Sequence, residues 1–100
     1  MRVCALVSDL MDRSRISASI PDVAFVREVA ACAGSDVVIV DLARSGHDVG
    51  AVRAVAPSAR IVGFGPHVDE ERAQAARGAG ADLVLPRSRF FHDPAAAIAS

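Results

Sequence analysis

Short apolar runs alternate along the chain with stretches that have the character of helices. Four runs rich in β-branched residues each end in polar or turn-forming residues, and they cover residues 3–7, 36–40, 59–64 and 82–85. A weaker fifth run at 23–26 follows Pro21. Because the runs are nearly continuous rather than alternating, they are typical of parallel strands that are covered on both faces.

The intervening segments predict helices over residues 10–19, 28–33, 49–55, 69–77 and 94–99. Pro57 closes the third, glycines follow the fourth, and Asp93 with Pro94 provides a cap and first turn for the last. Strands that alternate with helices at this spacing indicate βαβ units. We therefore expect an α/β fold with a single doubly wound parallel five-stranded sheet, formed as one domain over residues 1–100.

Composition narrows the function classes. The formal net charge of −1 argues against binding to nucleic acid, and no apolar run approaches the length of about 20 residues that spans a membrane. The N-terminus lacks the apolar region and the cleavage site of a signal peptide. Cys4 and Cys32 lie in apolar segments without C-x-x-C spacing, which favours buried, reduced thiols and a cytoplasmic location.

Charged side chains follow three of the predicted strands. Asp9, Asp41 and Arg87 come directly after apolar runs, and the carboxyl ends of parallel strands meet at the edge where ligands bind. An aspartate in such a place is more often a helix cap or an ion-pair partner than a reactive group. Three charges at three strand ends nevertheless mark this edge as the candidate site.

The order of these motifs resembles a response-regulator receiver domain, over nearly the whole chain. Ser8 and Asp9 stand where that family has an acidic pair, and Val38 to Leu42 is similar to its phosphoacceptor strand. The segment from Ile61 to Ser88 follows its fourth strand, fourth helix and fifth strand. The resemblance implies a flavodoxin-like fold with Asp41 as phosphoacceptor. It also implies magnesium ligands at Asp9, Asp41 and the carbonyl of Ala43.

The departures from the family are as informative as the matches. Ser8 replaces one acid, Gly65 replaces the phosphate-contacting hydroxyl residue, Val84 replaces the aromatic residue, and Arg87 replaces the lysine. They predict an atypical or pseudo-receiver that binds magnesium weakly, in which Arg87 pairs with Asp41 or Asp9 and signalling proceeds through protein–protein contact without phosphorylation. The alternative is a stand-alone receiver that a histidine kinase phosphorylates on Asp41, with Arg87 contacting the phosphate.

Other features indicate a partner rather than an enzyme. Phe90 and Phe91 are candidates for an interface with an output protein or a second copy, or alternatively both pack beneath the last helix. The lone G-x-G at 63–65 is weak evidence for a nucleotide site. Three histidines without zinc-ligand spacing, His47, His67 and His92, are expected in solvated loops.

Overall fold

The computed structural model describes residues 1–66 and 70–99. All five strands pair in parallel in one sheet, in the order β2-β1-β3-β4-β5. The strands are β1 (Val3–Leu6), β2 (Ala24–Phe25), β3 (Val37–Asp41), β4 (Arg60–Gly65) and β5 (Leu83–Pro86). The prediction of a five-stranded parallel α/β sheet is confirmed.

Within the described residues, six α-helices connect or follow these strands. They are α1 (Leu10–Ser19), α2 (Leu42–Ser45), α3 (Val49–Val55), α4 (Glu70–Ala79), α5 (Arg87–His92) and α6 (Pro94–Ala99). The segment expected to be a helix at 28–33 forms a 3-10 helix at Val29–Cys32, and a second 3-10 helix covers Gly46–Asp48. The expected cap Asp69 lies outside the described residues.

The sheet carries a hydrophobic core on each face. Val38 and Val40 of β3 face one core, which α3 and α4 cover, whereas Val37 and Ile39 face the other, which α1, α5 and α6 cover. Every residue of β3 is buried. This double coverage explains why the strands are continuous apolar runs in the sequence.

Gly63 in β4 leaves a notch that Leu42 of α2 fills. A Cβ atom on Gly63 would lie 2.8 Å from Leu42 Cδ2 and 2.9 Å from its Cγ, closer than side-chain atoms normally approach. The missing side chain therefore lets α2 pack directly against the middle of the sheet.

Phe90 and Phe91 are core residues, with 0% and 9% of their surface exposed. Their rings pack on Phe64 with centroids 4.8 and 5.1 Å away. The expectation that one of them is exposed for an interface is therefore corrected. Since α5 begins directly after β5, both rings turn into the core on the α6 side, which is the alternative of internal packing.

The two cysteines are free and buried. Burial, and then the neighbouring Cys4, raises the pKa of the Cys32 thiol to about 11, so this group stays protonated at neutral pH. Within the part of the chain that the structure describes, no helix is both long and apolar enough to cross a membrane.

Candidate functional site

Both candidate carboxylates lie at the carboxyl edge of the sheet, and each caps a helix. The Asp9 Oδ1 atom accepts the backbone N–H of Asp12 at 2.9 Å, at the start of α1. The Asp41 Oδ1 atom accepts the N–H of Ala43 at 3.1 Å, at the start of α2. Both aspartates therefore act as helix N-caps, which is the more common role of an aspartate in such a place.

Asp41 is almost completely buried, with 3% of its surface exposed. Burial raises the pKa of this carboxyl above its ordinary value, and the nearby Asp12 adds to the rise. The Ala43 N–H, Arg87 and Arg44 act in the opposite direction without cancelling it. The net effect favours the protonated carboxyl more than water does.

Arg87 forms a two-pronged ion pair with Asp12. Its Nη1 donates to Asp12 Oδ2 at 3.0 Å and its Nη2 donates to Asp12 Oδ1 at 2.6 Å. Only 5% of the Asp12 side chain is exposed, against 35% for Arg87. The guanidinium also lies 5.0 Å from the Phe91 ring centroid and 5.4 Å from that of Phe64.

The expectation that Arg87 pairs with Asp41 or Asp9 is therefore corrected: the partner is Asp12. The hydrogen bond that Arg87 donates to Asp12 is the main cause that raises the pKa of Arg87, and the charges of Asp12, Asp41 and Asp9 add to it. Asp9, Asp41 and Arg87 do lie at one edge of the sheet, but the carboxylate that pairs with Arg87 belongs to Asp12 of α1. A sequence signal existed, because Asp12 precedes Ile16 and Ile20 at four-residue spacing, which places it on the same helical face as two apolar residues. The structure buries all three side chains.

Each carboxylate at this edge already makes a contact within the protein. Asp9 and Asp41 each already accept a backbone amide, and Asp12 is taken by Arg87. Ala43 lies inside α2 and directs its amide toward Asp41. Over residues 1–66 and 70–99, no three His, Cys, Asp or Glu side chains are arranged to hold a metal.

Of the remaining departures, Ser8 and Gly65 lie at the same edge, whereas Val84 lies within β5. Ser8 is exposed, and its hydroxyl accepts from Arg44 Nη1 at 3.4 Å. Gly65 ends β4, and Val84 is buried in β5. His47 and His92 are exposed as expected, whereas His67 lies outside the described residues.

No protein-family model and no curated protein sequence matches the chain. Solved structures do match it. A response regulator protein from Burkholderia pseudomallei, solved with a phosphorylated aspartic acid, a calcium ion and citrate, has a TM-score of 0.82 at 15% identity. The match covers 98% of this chain and 66% of that one.

A response regulator from Thermotoga maritima has a TM-score of 0.69 at 14% identity, and the match covers 99% of this chain and 98% of that one. At such low identity the likeness concerns the fold. Together with the strand order, it leads to one conclusion: the chain has the flavodoxin-like fold of response-regulator receiver domains.

Proposed function

We propose that the protein is a pseudo-receiver, a regulatory module of the cytoplasm that acts by contacting another protein while Asp41 remains unphosphorylated. In this proposal it is a binding module and catalyses no reaction. The observation that carries the proposal is the ion pair between Arg87 and Asp12, at 3.0 and 2.6 Å.

A phosphoryl group on Asp41 would need a cation to neutralise it, because phosphoryl transfer depends on positioning and charge neutralisation. Arg87 is the cation that stands in the place of the family's lysine, and both of its terminal nitrogens are held by Asp12. Releasing it would leave the Asp12 carboxylate buried without a partner. Without a phosphoryl group on Asp41, Arg87 and Asp12 thus each already have an oppositely charged partner.

The state of Asp41 supports the same conclusion. A carboxylate attacks phosphorus and binds metal in its ionised form, whereas burial raises the pKa of Asp41 and disfavours that form. One Asp41 oxygen is also held by the Ala43 amide. Ser8 supplies no second carboxylate beside it.

Partner contact is supported by two large apolar side chains beside this edge. Leu10 and Met11 begin α1 and are 78% and 76% exposed. Contiguous exposed apolar surface marks sites of protein–protein contact, and these two side chains offer such surface at the start of α1. The partner is an output protein or a second copy of the chain.

Incubation with acetyl phosphate and magnesium, followed by intact-mass measurement, tests the proposal. We expect no phosphoryl adduct on the wild-type protein and no magnesium-dependent shift of the Asp41 and Ala43 amide resonances. A stable acyl phosphate on Asp41 would instead establish the alternative, a phosphorylatable receiver.

A matched variant shows whether the assay can detect phosphorylation in this fold. Ser8→Asp combined with Arg87→Lys restores the acid and the lysine that the family pattern has. We expect this double variant to gain an adduct, and to lose it again when Asp41→Asn is added. Equal labelling of the wild type and the double variant would contradict the proposal.

A further inference from the structure

A cavity of about 260 Å³ opens beside the capping residues, at the carboxyl ends of β1 and β2. Open α/β sheets bind ligands where the strand order reverses, which in this sheet is between β1 and β3; the cavity lies beside that point, and its lining includes Ser45 of α2, the helix that follows β3. The lining combines apolar, hydroxyl and cationic side chains, and it includes Leu6, Ser8, Arg13, Val26, Arg27 and Ser45.

Three arginines surround this cavity. Arg13 and Arg27 line it, and Arg44 reaches the Ser8 hydroxyl at its edge. None of the three forms an ion pair with a carboxylate in the described part of the chain. Two guanidinium groups thus line the cavity without a salt-bridge partner among the described residues, in a protein whose formal net charge is −1.

Arg13 is fixed in place. Its Nε donates to the Val7 carbonyl at 2.6 Å, and its guanidinium lies 5.2 Å from the centroid of the Phe25 ring. These contacts hold the group by one edge and by its face, and they leave its terminal nitrogens for a ligand. A cation that is ordered in advance loses little conformational entropy on binding.

The acids nearest the cavity make their hydrogen bonds elsewhere. The Asp9 carboxylate is turned to the amide of Asp12, and Asp41 is buried at the start of α2. Glu28 is exposed and forms no ion pair with its neighbour Arg27 among the residues described. No acidic side chain of residues 1–66 and 70–99 lines the cavity.

We infer that this cavity binds a small phosphomonoester with an apolar body. Guanidinium groups pair with phosphate oxygens through parallel hydrogen bonds, and three cations suit a dianion better than a single carboxylate. Leu6 and Val26 offer an apolar wall for the rest of the ligand. The volume lies just below the range of roughly 300–1,000 Å³ that holds drug-sized molecules, so the ligand is small.

Titration calorimetry with phenyl phosphate, inorganic phosphate and benzoate tests this inference. We expect saturable one-site binding of phenyl phosphate, and affinities about tenfold lower for phosphate, which lacks the ring, and for benzoate, which has one charge. Amide resonances of Ser8, Arg27 and Ser45 should move most. Phenyl phosphate is an unactivated ester, so this result is independent of whether Asp41 accepts a phosphoryl group.

Two matched variants locate the site. Arg27→Gln changes an exposed side chain of the cavity and should weaken phenyl phosphate binding about tenfold or more. Arg89→Gln removes the same charge from α5, outside the cavity, and should leave the affinity unchanged. The inference is overturned by an absence of saturable binding, by benzoate binding as tightly as phenyl phosphate, or by equal loss in the two variants.

Discussion

Two arginine–aspartate pairs occupy opposite edges of the sheet. Arg53 of α3 meets Asp82 just before β5, at the edge where the strands begin, with Nη2 and Oδ2 2.7 Å apart. Its other hydrogen bonds go to backbone carbonyls, namely Gly80 from two nitrogens, Ala56, Pro57 and Ala59. One side chain thus holds the two loops that lead into β4 and β5.

Arg87 and Asp12 lie at the edge where the strands end, and among the described residues their side chains hydrogen-bond only to each other. Asp12 is buried, whereas the Asp82 side chain is 44% exposed. The first pair therefore organises backbone, and the second satisfies a buried charge next to the candidate site. A short ion pair therefore has a different role according to what else its arginine binds.

Removing Arg53 should have the largest effect. Arg53→Ala leaves several carbonyls and Asp82 without their donor, and we expect a loss of about 3 kcal/mol in the free energy of unfolding, measured with urea. Asp82→Asn keeps an acceptor for the Ile61 amide and should cost only about 1 kcal/mol. If the two variants lose equal stability, the role of Arg53 is confined to the ion pair.

A double-mutant cycle on the other edge should give the next largest effect. Arg87→Gln leaves Asp12 buried without a countercharge, and we expect a loss of about 2 kcal/mol. The cycle with Asp12→Asn should give a coupling energy of about 1 kcal/mol or more from urea unfolding. Additive losses would mean that the two side chains do not stabilise each other.

Two glycines near the Arg53 loop provide a sharper contrast. Gly80 has φ +123°, and a Cβ there would lie 2.9 Å from Arg53 Cβ, so Gly80→Ala should destabilise the fold by about 1–2 kcal/mol. Gly78 has no neighbouring atom within 4 Å of such a Cβ, and Gly78→Ala should stabilise α4 by up to about 1 kcal/mol. Thermal unfolding of both variants checks this, and a shared sign would contradict it.

The smallest effect is a difference in pH dependence between the two edges. Burial raises the pKa of Asp41 above the ordinary 3.8, so its charged form costs stability at neutral pH, and that cost is relieved as pH falls through the folded-state pKa. The hydrogen bond from the Ile61 amide is the largest cause that lowers the pKa of Asp82, and Arg53 lowers it further. The stabilisation that ionised Asp82 gives the fold is therefore present above pH 3.8 and is lost as the pH falls through the folded-state pKa.

Asp41→Asn should therefore raise stability at neutral pH, and Asp82→Asn should lower it. Both differences from the wild type should shrink on acidification, as urea unfolding at neutral and acidic pH can measure. A gain from Asp41→Asn that grows on acidification would reverse the assignment for this group.

Apolar runs made the sheet predictable, because strands covered on both faces must be apolar at nearly every position. The runs do not reveal α2 and α5, since each helix starts at the residue after its strand and Asp41 serves both elements. The residue at which α5 begins decides which way Phe90 and Phe91 point, and the sequence did not reveal that residue.

Tertiary ion pairs were harder to predict. The position of Asp12 on the apolar face of α1 indicates that it needs a partner. That the partner is Arg87, at the end of β5, follows only from how α1 packs in the fold. The role of Arg53 had no sequence signal, because its acceptors are mostly loop carbonyls that any residue provides.

Leu42, packed opposite Gly63, couples Asp41 to the centre of the sheet. Leu42 follows Asp41 directly, so the acid, the cap and the first turn of α2 are anchored together to the centre of the sheet. A change at Asp41 that moves the start of α2 also displaces Leu42 from the space beside Gly63. Exposing a buried leucine costs about 1.5–3 kcal/mol, so we expect smaller perturbations at Asp41 to leave α2 in place.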